Sequence, residues 1–323
     1  MNSNKTVKAA ALLALLFLIT NISTAQTDLD AIMMGKKRFC VGPAYMYSSW
    51  KNYWEGTLKR NNENLGTVSA QSYALMGNYG VTDKLNVLFN VPYVSTKASA
   101  GTLHSMKGVQ DLSLYVKYLP LEKDLWKGTF AFYAIGGVSV PLSNYVADYL
   151  PLSIGLRSKT ASLRALVDYQ YNNIFFTGSA TWVLRDNIKI DRTAYYTDHL
   201  ILSNEVEMPN AANFNIRAGY RSDRLIAEAV FNQWKTLGGF DITRNNMPFP
   251  SNRMDAATLG AKVKYVIFTE HEFAVEGGAD FTVAGRNMGQ SNTYHGGLLY
   301  VFELKKKEKK KAAVSSTGAA VTQ

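Results

Sequence analysis

The chain has 323 residues, of which 47% are apolar, 19% are charged and 12% are aromatic. This composition excludes an intrinsically disordered protein, which has few aromatic residues and a high net charge. The single cysteine, Cys40, excludes an internal disulfide framework, and no spacing of cysteine and histidine suits structural zinc.

The net charge of +10 comes mostly from the two ends of the chain. The run Lys305 to Lys311 supplies +5, and Lys5 with Lys8 supplies +2, which leaves +3 for the body. A body charge this small does not favour binding of nucleic acid. We expect residues 304–323 to form a disordered basic tail, although such tails can also contact anionic lipid or nucleic acid.

Residues 1–25 have the pattern of a secretory signal peptide. A basic start precedes the apolar run Ala9 to Ile19, which is too short for a transmembrane helix. Small residues at Ser23 and Ala25 suit cleavage before Gln26, and an uncleaved anchor is the alternative. The sequence therefore predicts export through a cleaved signal peptide.

Residues 26–37 precede the first predicted strand and include the apolar residues Leu29, Ile32, Met33 and Met34. We interpret them as a flexible periplasmic lead-in, because the first residues of a domain are often poorly ordered. A short periplasmic helix and a plug in the lumen are the two alternatives.

Period-two alternation dominates the interior of the chain. One segment alternates Asn86 and Asn90 with apolar neighbours, namely Leu85, Val87, Phe89, Val91 and Tyr93. Such alternation is typical of strands with one apolar and one polar face. The pattern predicts twelve strands, at about 38–49, 68–80, 84–95, 108–119, 129–141, 161–171, 174–185, 211–222, 224–235, 256–268, 272–284 and 293–303.

Three features favour a membrane barrel over a soluble β-sandwich, which also alternates. The segments are longer than the usual five or six residues of a strand and reach the 9–11 residues that a tilted strand needs to cross a bilayer. Aromatic residues also cluster near the segment ends, and connection lengths alternate between short and long. The longest of the short connections is Pro120 to Gly128. The predicted fold is all-β, a single antiparallel transmembrane β-barrel over residues 38–303. It has 12 strands, or up to 14 if segment 152–158 belongs to a further strand.

The chain also resembles a known family in about residues 74–141. The resemblance rests on four segments: Tyr79-Gly80-Val81-Thr82-Asp83-Lys84-Leu85, Asn90-Val91-Pro92-Tyr93, Gly108-Val109-Gln110-Asp111-Leu112 and Lys117-Tyr118. They are similar to the recurring pattern of outer-membrane barrels in the MetA-pathway of phenol degradation family, which is distantly similar to FadL-type channels. The resemblance implies transport of small, often hydrophobic molecules, and it supplies no ligand residues. Taken by themselves, Gly80, Thr82 and Asp83 suit a tight turn, so the motif can also serve only to shape the barrel.

Charged residues on the polar strand faces are candidates for lining the lumen, because charges kept off the lipid face must point inward. There they would tune which solutes pass, or they would pair with one another and keep the interior hydrated or closed. The candidates are Lys117, Arg164, Asp168, Arg217, Arg221, Glu228, Lys262, Lys264, Glu276 and Asp280.

Two long loops are candidates for contact with a solute or a partner. The loop that contains Phe240, Met247 and Phe249 could form a constriction at the mouth, or it could be an ordinary irregular loop. The loop from Asp186 to Asn210 offers a surface for a protein partner.

The sequence does not favour an enzyme, a metal or a cofactor. His104, His199, His271 and His295 lie far apart or in predicted loops, which argues against a metal cluster. Ser291 near His295 gives a weak similarity to outer-membrane phospholipases, but the order and spacing of the serine and histidine differ in those enzymes.

The leading hypothesis is therefore a passive channel or transporter for small molecules, apolar ones included. We expect it in the outer membrane of a Gram-negative bacterium, in contact with outer-membrane lipid. A non-transporting barrel with a structural or secretion-associated role is the alternative. Residues 26–37 lack the characteristic segment with which barrels of the type IX secretion apparatus begin, which disfavours that version of the alternative.

Overall fold

A computed structural model describes residues 27–242, 246–268 and 273–304. The predicted leader and the basic tail after Leu304 lie outside the described residues, and so does the predicted turn Thr269-Glu270-His271.

Twelve long strands make up most of the described chain. Their bounds are β1 Arg38–Trp50, β2 Val68–Thr82, β3 Leu85–Ala98, β4 Asp111–Leu125, β5 Gly128–Pro141, β6 Thr160–Tyr171, β7 Ile174–Arg185, β8 Ala211–Arg221, β9 Leu225–Thr236, β10 Asp255–Phe268, β11 Phe273–Arg286 and β12 Asn292–Glu303.

The strands close into an antiparallel barrel. Each pairs with the next in sequence, and β12 returns to β1 through pairs that run from Arg38↔Glu303 to Ser49↔Asn292. The short strand Lys107–Val109 continues the pairing of β3 ahead of β4. The predicted barrel is thus confirmed at twelve strands, and segment 152–158 is loop rather than strand.

The connections alternate between a turn end and a loop end of the barrel, as the sequence predicts. At the turn end, residues 83–84, 126–127, 172–173 and 222–224 join neighbouring strands. At the loop end, the connections span residues 51–67, 99–110, 142–159, 186–210, 237–254 and 287–291. The first residue of β1 and the last residue of β12 both lie at the turn end.

The prediction of a nine-residue turn from Pro120 to Gly128 is wrong. The register shifts between Tyr118 and Leu121, so a bulge accommodates Pro120, whose nitrogen cannot donate to the ladder. Pairing then resumes as far as Leu125↔Gly128. Trp126 begins the two-residue turn with a left-handed φ of 54°.

The outer surface of the barrel is apolar, as a lipid-facing wall requires. Large apolar side chains alternate along the strands with buried ones and are strongly exposed. Examples are Tyr73, Leu75, Val116, Leu163, Phe176, Trp182, Ile216, Leu259, Val263, Phe281 and Tyr300. No helix in the described part of the chain is long and apolar enough to cross a membrane.

The long loops are tied to one another above the barrel. Asn287, which is 1% exposed and has a φ of 53°, accepts hydrogen bonds from the backbone nitrogens of Gly56 and Ile242. Its amide also donates to Asp241 Oδ1 at 2.6 Å and to the Arg253 carbonyl at 2.7 Å. One side chain therefore joins three of the six loops.

We expect Ile216→Arg to destabilise the barrel by about 2–4 kcal/mol, the usual cost of a cation facing lipid at mid-membrane. Ile216 is the middle residue of β8, and its side chain is 44% exposed on the outer face. Urea titration of the protein refolded into lipid vesicles measures the loss. The control is Ile216→Leu, which keeps the apolar surface and should lose less than about 1.5 kcal/mol. Equal stability of the two variants would contradict a lipid-facing position.

Candidate functional site: the plugged lumen

The ten charged residues predicted to line the lumen lie on the inner faces of six strands, β4, β6 and β8–β11. Lys117, Arg164, Asp168, Arg217 and Lys264 are buried, although each belongs to a residue type that is rarely buried without a partner. Six of the ten line one interior space, namely Arg217, Arg221, Glu228, Lys262, Lys264 and Glu276. The effect of the ten residues on what passes stays a prediction.

Ion pairs connect strands of the inner wall that are adjacent or separated by one strand. Arg217 on β8 pairs with Glu228 on β9, with Nη1 2.8 Å from Oε1. Arg221 on β8 reaches Asp168 on β6, with Nη1 3.0 Å from Oδ2, and its guanidinium stacks 3.9 Å from the ring centroid of Phe175. The charges of the wall therefore partly neutralise one another, which agrees with the alternative of a salt-bridged interior.

The segment before β1 lies inside the barrel. We call residues 27–34 the plug and residues 35–37 its stalk. This position corrects the expectation of a flexible lead-in for the described residues from Thr27 on, because both polar and apolar contacts fix the segment to the wall. The sequence offered a signal for this, since two aspartates, Asp28 and Asp30, precede an apolar run at a point where the lumen walls carry cations.

Lys117 on β4 is the main polar anchor of the plug. Its Nζ lies 2.6 Å from the Asp30 carbonyl, 2.9 Å from the Ile32 carbonyl, 3.0 Å from Asp30 Oδ1 and 3.1 Å from the Thr27 carbonyl. The lysine is 0% exposed. A buried ammonium ion is tolerated only with such a set of acceptors, so the plug and Lys117 depend on each other.

Asp30 also shapes the plug from within. Its carboxylate accepts hydrogen bonds from the backbone nitrogens of Thr27, at 2.5 Å, and Ile32, at 3.1 Å. Asp side chains commonly close local turns in this way. The resulting turn directs the carbonyls of Thr27, Asp30 and Ile32 towards Lys117.

Arg164 on β6 is a second anchor beside the first. Its Nη1 donates to the Asp28 carbonyl at 2.6 Å and to Asp28 Oδ2 at 2.7 Å, while Nε donates to Thr181 Oγ1 at 2.7 Å. The register places Lys117 and Arg164 on either side of Ile135 of β5. The two cations therefore lie side by side across three strands, about 10 Å apart along the wall at a strand spacing of about 4.8 Å.

Apolar contacts complete the seat of the plug. Ala31 packs against Leu119, Ala131, Tyr133, Ile135 and Leu166, and the Tyr133 hydroxyl donates to the Ala31 carbonyl at 2.8 Å. Nearer the turn end, Met34 is 0% exposed in a cluster with Cys40, Val266, Ala274, Leu299 and Val301.

The stalk is held by the motif that carries the family resemblance. The Lys37 nitrogen donates to the Gly80 carbonyl at 2.7 Å, and the Lys36 nitrogen donates to Asp83 Oδ1 at 2.9 Å. A Cβ at Gly80 would lie only 2.0 Å from the Gly35 carbonyl oxygen. Gly80 and Asp83 thus fix the entry of the plug as well as the turn between β2 and β3, a role that the sequence alone did not indicate.

The plug divides the interior into two spaces. One holds about 600 Å³ of empty volume, part of it open to solvent, and is lined by Asp30, Arg217, Glu228, Lys264 and Glu276 among others. The other is a wider vestibule at the turn end, of about 1050 Å³, with Ala31, Tyr133, Asp168 and Arg221 in its wall. Arg221 lines both spaces.

A second obstruction comes from the loop end. Loop 142–159 folds against the inner wall, where Leu152 packs with Val68 and Ile154 packs with Val94. Thr96 Oγ1 donates to the Leu152 carbonyl at 2.6 Å. The sequence missed this constriction because the apolar run in the loop was assigned to a possible strand.

Tyr145 fixes the base of that loop. Its hydroxyl donates to Asp111 Oδ1 at 2.6 Å and accepts a hydrogen bond from the Arg157 nitrogen at 2.8 Å. Burial, together with the hydrogen bond to the Asp111 carboxylate, raises the pKa of Tyr145 above its ordinary value. The phenol therefore stays neutral and can donate at every physiological pH.

The predicted constriction residues are only partly brought together. Phe249 is buried and stacks on Tyr195 of the neighbouring loop at 5.3 Å, and Phe240 packs beside it at 6.3 Å. Met247, in contrast, is 49% exposed. In the same loop, the hydrogen bond from Arg286 lowers the pKa of Asp241, which stays ionised and holds the loop to β11.

The residues of the weakly indicated hydrolase site are engaged elsewhere. Ser291 Oγ lies 3.0 Å from Thr282 Oγ1, and His295 Nδ1 lies 3.5 Å from Asp280 Oδ2. Within the described ranges, no group of three or more metal-ligating side chains is assembled.

The family profile described as putative MetA-pathway of phenol degradation matches residues 66–295. The chain belongs to this family. The match includes the Gly80 and Asp83 motif and the inner-wall residues Lys117 and Arg164, whereas the plug precedes it. No curated protein matches the chain.

Solved structures agree with the fold. An outer-membrane channel from Pseudomonas putida F1 matches with a TM-score of 0.66 at 15% identity, covering 87% of this chain and 100% of that one. The translocator domain of the autotransporter NalP from Neisseria meningitidis gives 0.46 at 9% identity, covering 93% and 98%. A FadL homologue from Pseudomonas aeruginosa gives 0.33 at 11% identity, covering 83% and 91%. Only the first is similar enough to bear on the fold, which is that of an outer-membrane β-barrel.

We expect Lys117→Met to release the plug, because the variant leaves four plug acceptors without their donor in a buried site. Hydrogen exchange followed by mass spectrometry should show amide protection in residues 27–34 falling by at least about tenfold, which corresponds to about 1.4 kcal/mol. The control is Lys123→Met on the exposed extension of β4, which should leave the plug protected. Unchanged protection in Lys117→Met would show that apolar contacts alone hold the segment.

Proposed function

We propose that the chain is an outer-membrane channel through which small polar solutes diffuse passively, with the plug, residues 27–34, closing the lumen at rest. The observation that carries this proposal is a charged interior obstructed by a segment of the same chain. The anchors of that segment are hydrogen bonds and ion pairs, which can exchange with water or solute. In a barrel built only for stability, such a lumen has no evident use.

Family membership and fold support the proposal. The similar Pseudomonas putida protein is an outer-membrane channel. By the general pattern of such barrels, the turn end faces the periplasm and the loop end faces outward. The plug would then enter from the periplasmic side, and export would depend on the predicted cleaved leader.

The lining favours polar over apolar solutes. Charged side chains on β8–β11 line the interior space, whereas the apolar surface of the barrel faces lipid. An apolar solute would have to displace water from these charges without replacing their hydrogen bonds, which is costly. The hydrophobic solutes implied by the family resemblance are therefore not part of this proposal.

The alternative of a non-transporting barrel is supported by one feature of the loop end. The hairpin formed by strands Tyr195–Tyr196 and Leu200–Ile201 exposes Tyr196 at 57% and Leu200 at 60%, and Leu202 beside it is 80% exposed. Apolar side chains at an outer hairpin could bind a protein partner. Serine substitutions at these three positions would abolish a complex formed there, and they would leave conductance unchanged if transport is the function.

Deletion of residues 27–34 should raise single-channel conductance in planar bilayers several-fold, because it removes the plug and leaves the barrel strands intact. Liposome swelling with a small sugar tests the same point without a voltage. A suitable control is Asp198→Asn at an exposed loop position, which should behave as the parent chain. A folded barrel that passes no ion or sugar after the deletion would contradict a channel.

A further inference from the structure

The two anchor cations of the lumen each hold a carboxylate of the plug. Lys117 binds Asp30, and Arg164 binds Asp28, with N–O distances of 3.0 and 2.7 Å. The Lys117 side chain is fully buried and that of Arg164 is 10% exposed. If the plug left, both cations would need another anionic or strongly polar partner, because an unpaired charge in such a position is costly.

The charge balance of the lining points the same way. Six of the ten lining residues are cations and four are anions, so the wall by itself carries an excess of two positive charges. Asp28 and Asp30 bring two negative charges and cancel the excess. The resting lumen is therefore neutral across this set, whereas the same wall without its plug attracts anions.

We propose that Lys117 and Arg164 are carboxylate-binding subsites for the transported solute, and that Asp28 and Asp30 occupy them when the plug is seated. This inference rests on the proposed channel function. It names small organic carboxylates as the solute class, because the groups now seated on both cations are carboxylates. A carboxylate solute would compete with the plug for its anchors and favour opening as it enters.

The two subsites differ in how readily they exchange. Lys117 binds three backbone carbonyls besides Asp30 Oδ1, so a solute carboxylate replaces only one of its four partners. Arg164 binds the plug through only two acceptors, one carboxylate oxygen and the carbonyl of Asp28, and its Nε donates to Thr181 on the wall. Thr181 keeps the guanidinium in place when Asp28 leaves, so Arg164 is the subsite at which a solute carboxylate exchanges more readily.

The test compares succinate with its uncharged analogue succinamide in the intact chain reconstituted into liposomes. We expect succinate to pass faster, and we expect Arg164→Gln to reduce this preference by about tenfold, the scale of one charge-assisted hydrogen bond. Arg164→Lys keeps the charge and should retain most of the preference. The control Arg224→Gln removes an exposed cation at a turn and should change nothing.

Hydrogen exchange of the plug gives a readout that does not depend on flux. Exchange in residues 27–34 should rise with succinate and stay constant with succinamide, and the rise should be absent in Arg164→Gln. An equal preference for succinate in Arg164→Gln and the parent chain would overturn the subsites while leaving the channel intact. Passage of neither solute through any variant, including one that lacks residues 27–34, would instead refute the channel function itself.

Discussion

Closure of the backbone ladder is the constraint on which the rest of this structure depends. In lipid every backbone N–H and C=O must be paired within the protein, and a sheet achieves this only by returning its last strand to its first. Here β12 pairs with β1, and this fixes which face of every strand meets lipid. Apolar residues such as Ile216 then face outward, and charged residues such as Arg217 are confined to the lumen.

Confinement of charge has a second consequence, because buried cations need partners. Some find them on neighbouring strands, as Arg217 finds Glu228. Lys117 and Arg164 find theirs on a segment that is not part of the barrel wall. The plug is thus an electrostatic requirement of the wall as well as an obstruction, and whatever removes it must offer these two cations something in exchange.

The sequence predicts the barrel well and the plug poorly, for a physical reason. Strands follow from period-two alternation, a local property, so their number and nearly all of their bounds could be predicted. The prediction that the strand ends at Pro120 is wrong, because a bulge between paired strands tolerates a residue that would end an isolated strand. The assignment of the ten charged residues to the inner strand faces was also predictable, because successive side chains along a strand point to opposite faces. The position of Asp28 and Asp30 depends on residues about 90 to 140 positions away, and the inward fold of Leu152 depends on Val68. Neither of these long-range contacts produces a periodic pattern in the sequence from which it could be predicted.

The native cysteine tests the central claim most directly. Cys40 is the one cysteine of the chain, it faces the lumen from β1, and it is 2% exposed beneath Met34 of the plug. A hydrophilic thiol reagent applied to the protein in liposomes should modify Cys40 very slowly in the parent chain and rapidly after deletion of residues 27–34. Equal and rapid modification in both proteins would show that the segment does not occupy the lumen, and the account of a self-plugged channel would be wrong.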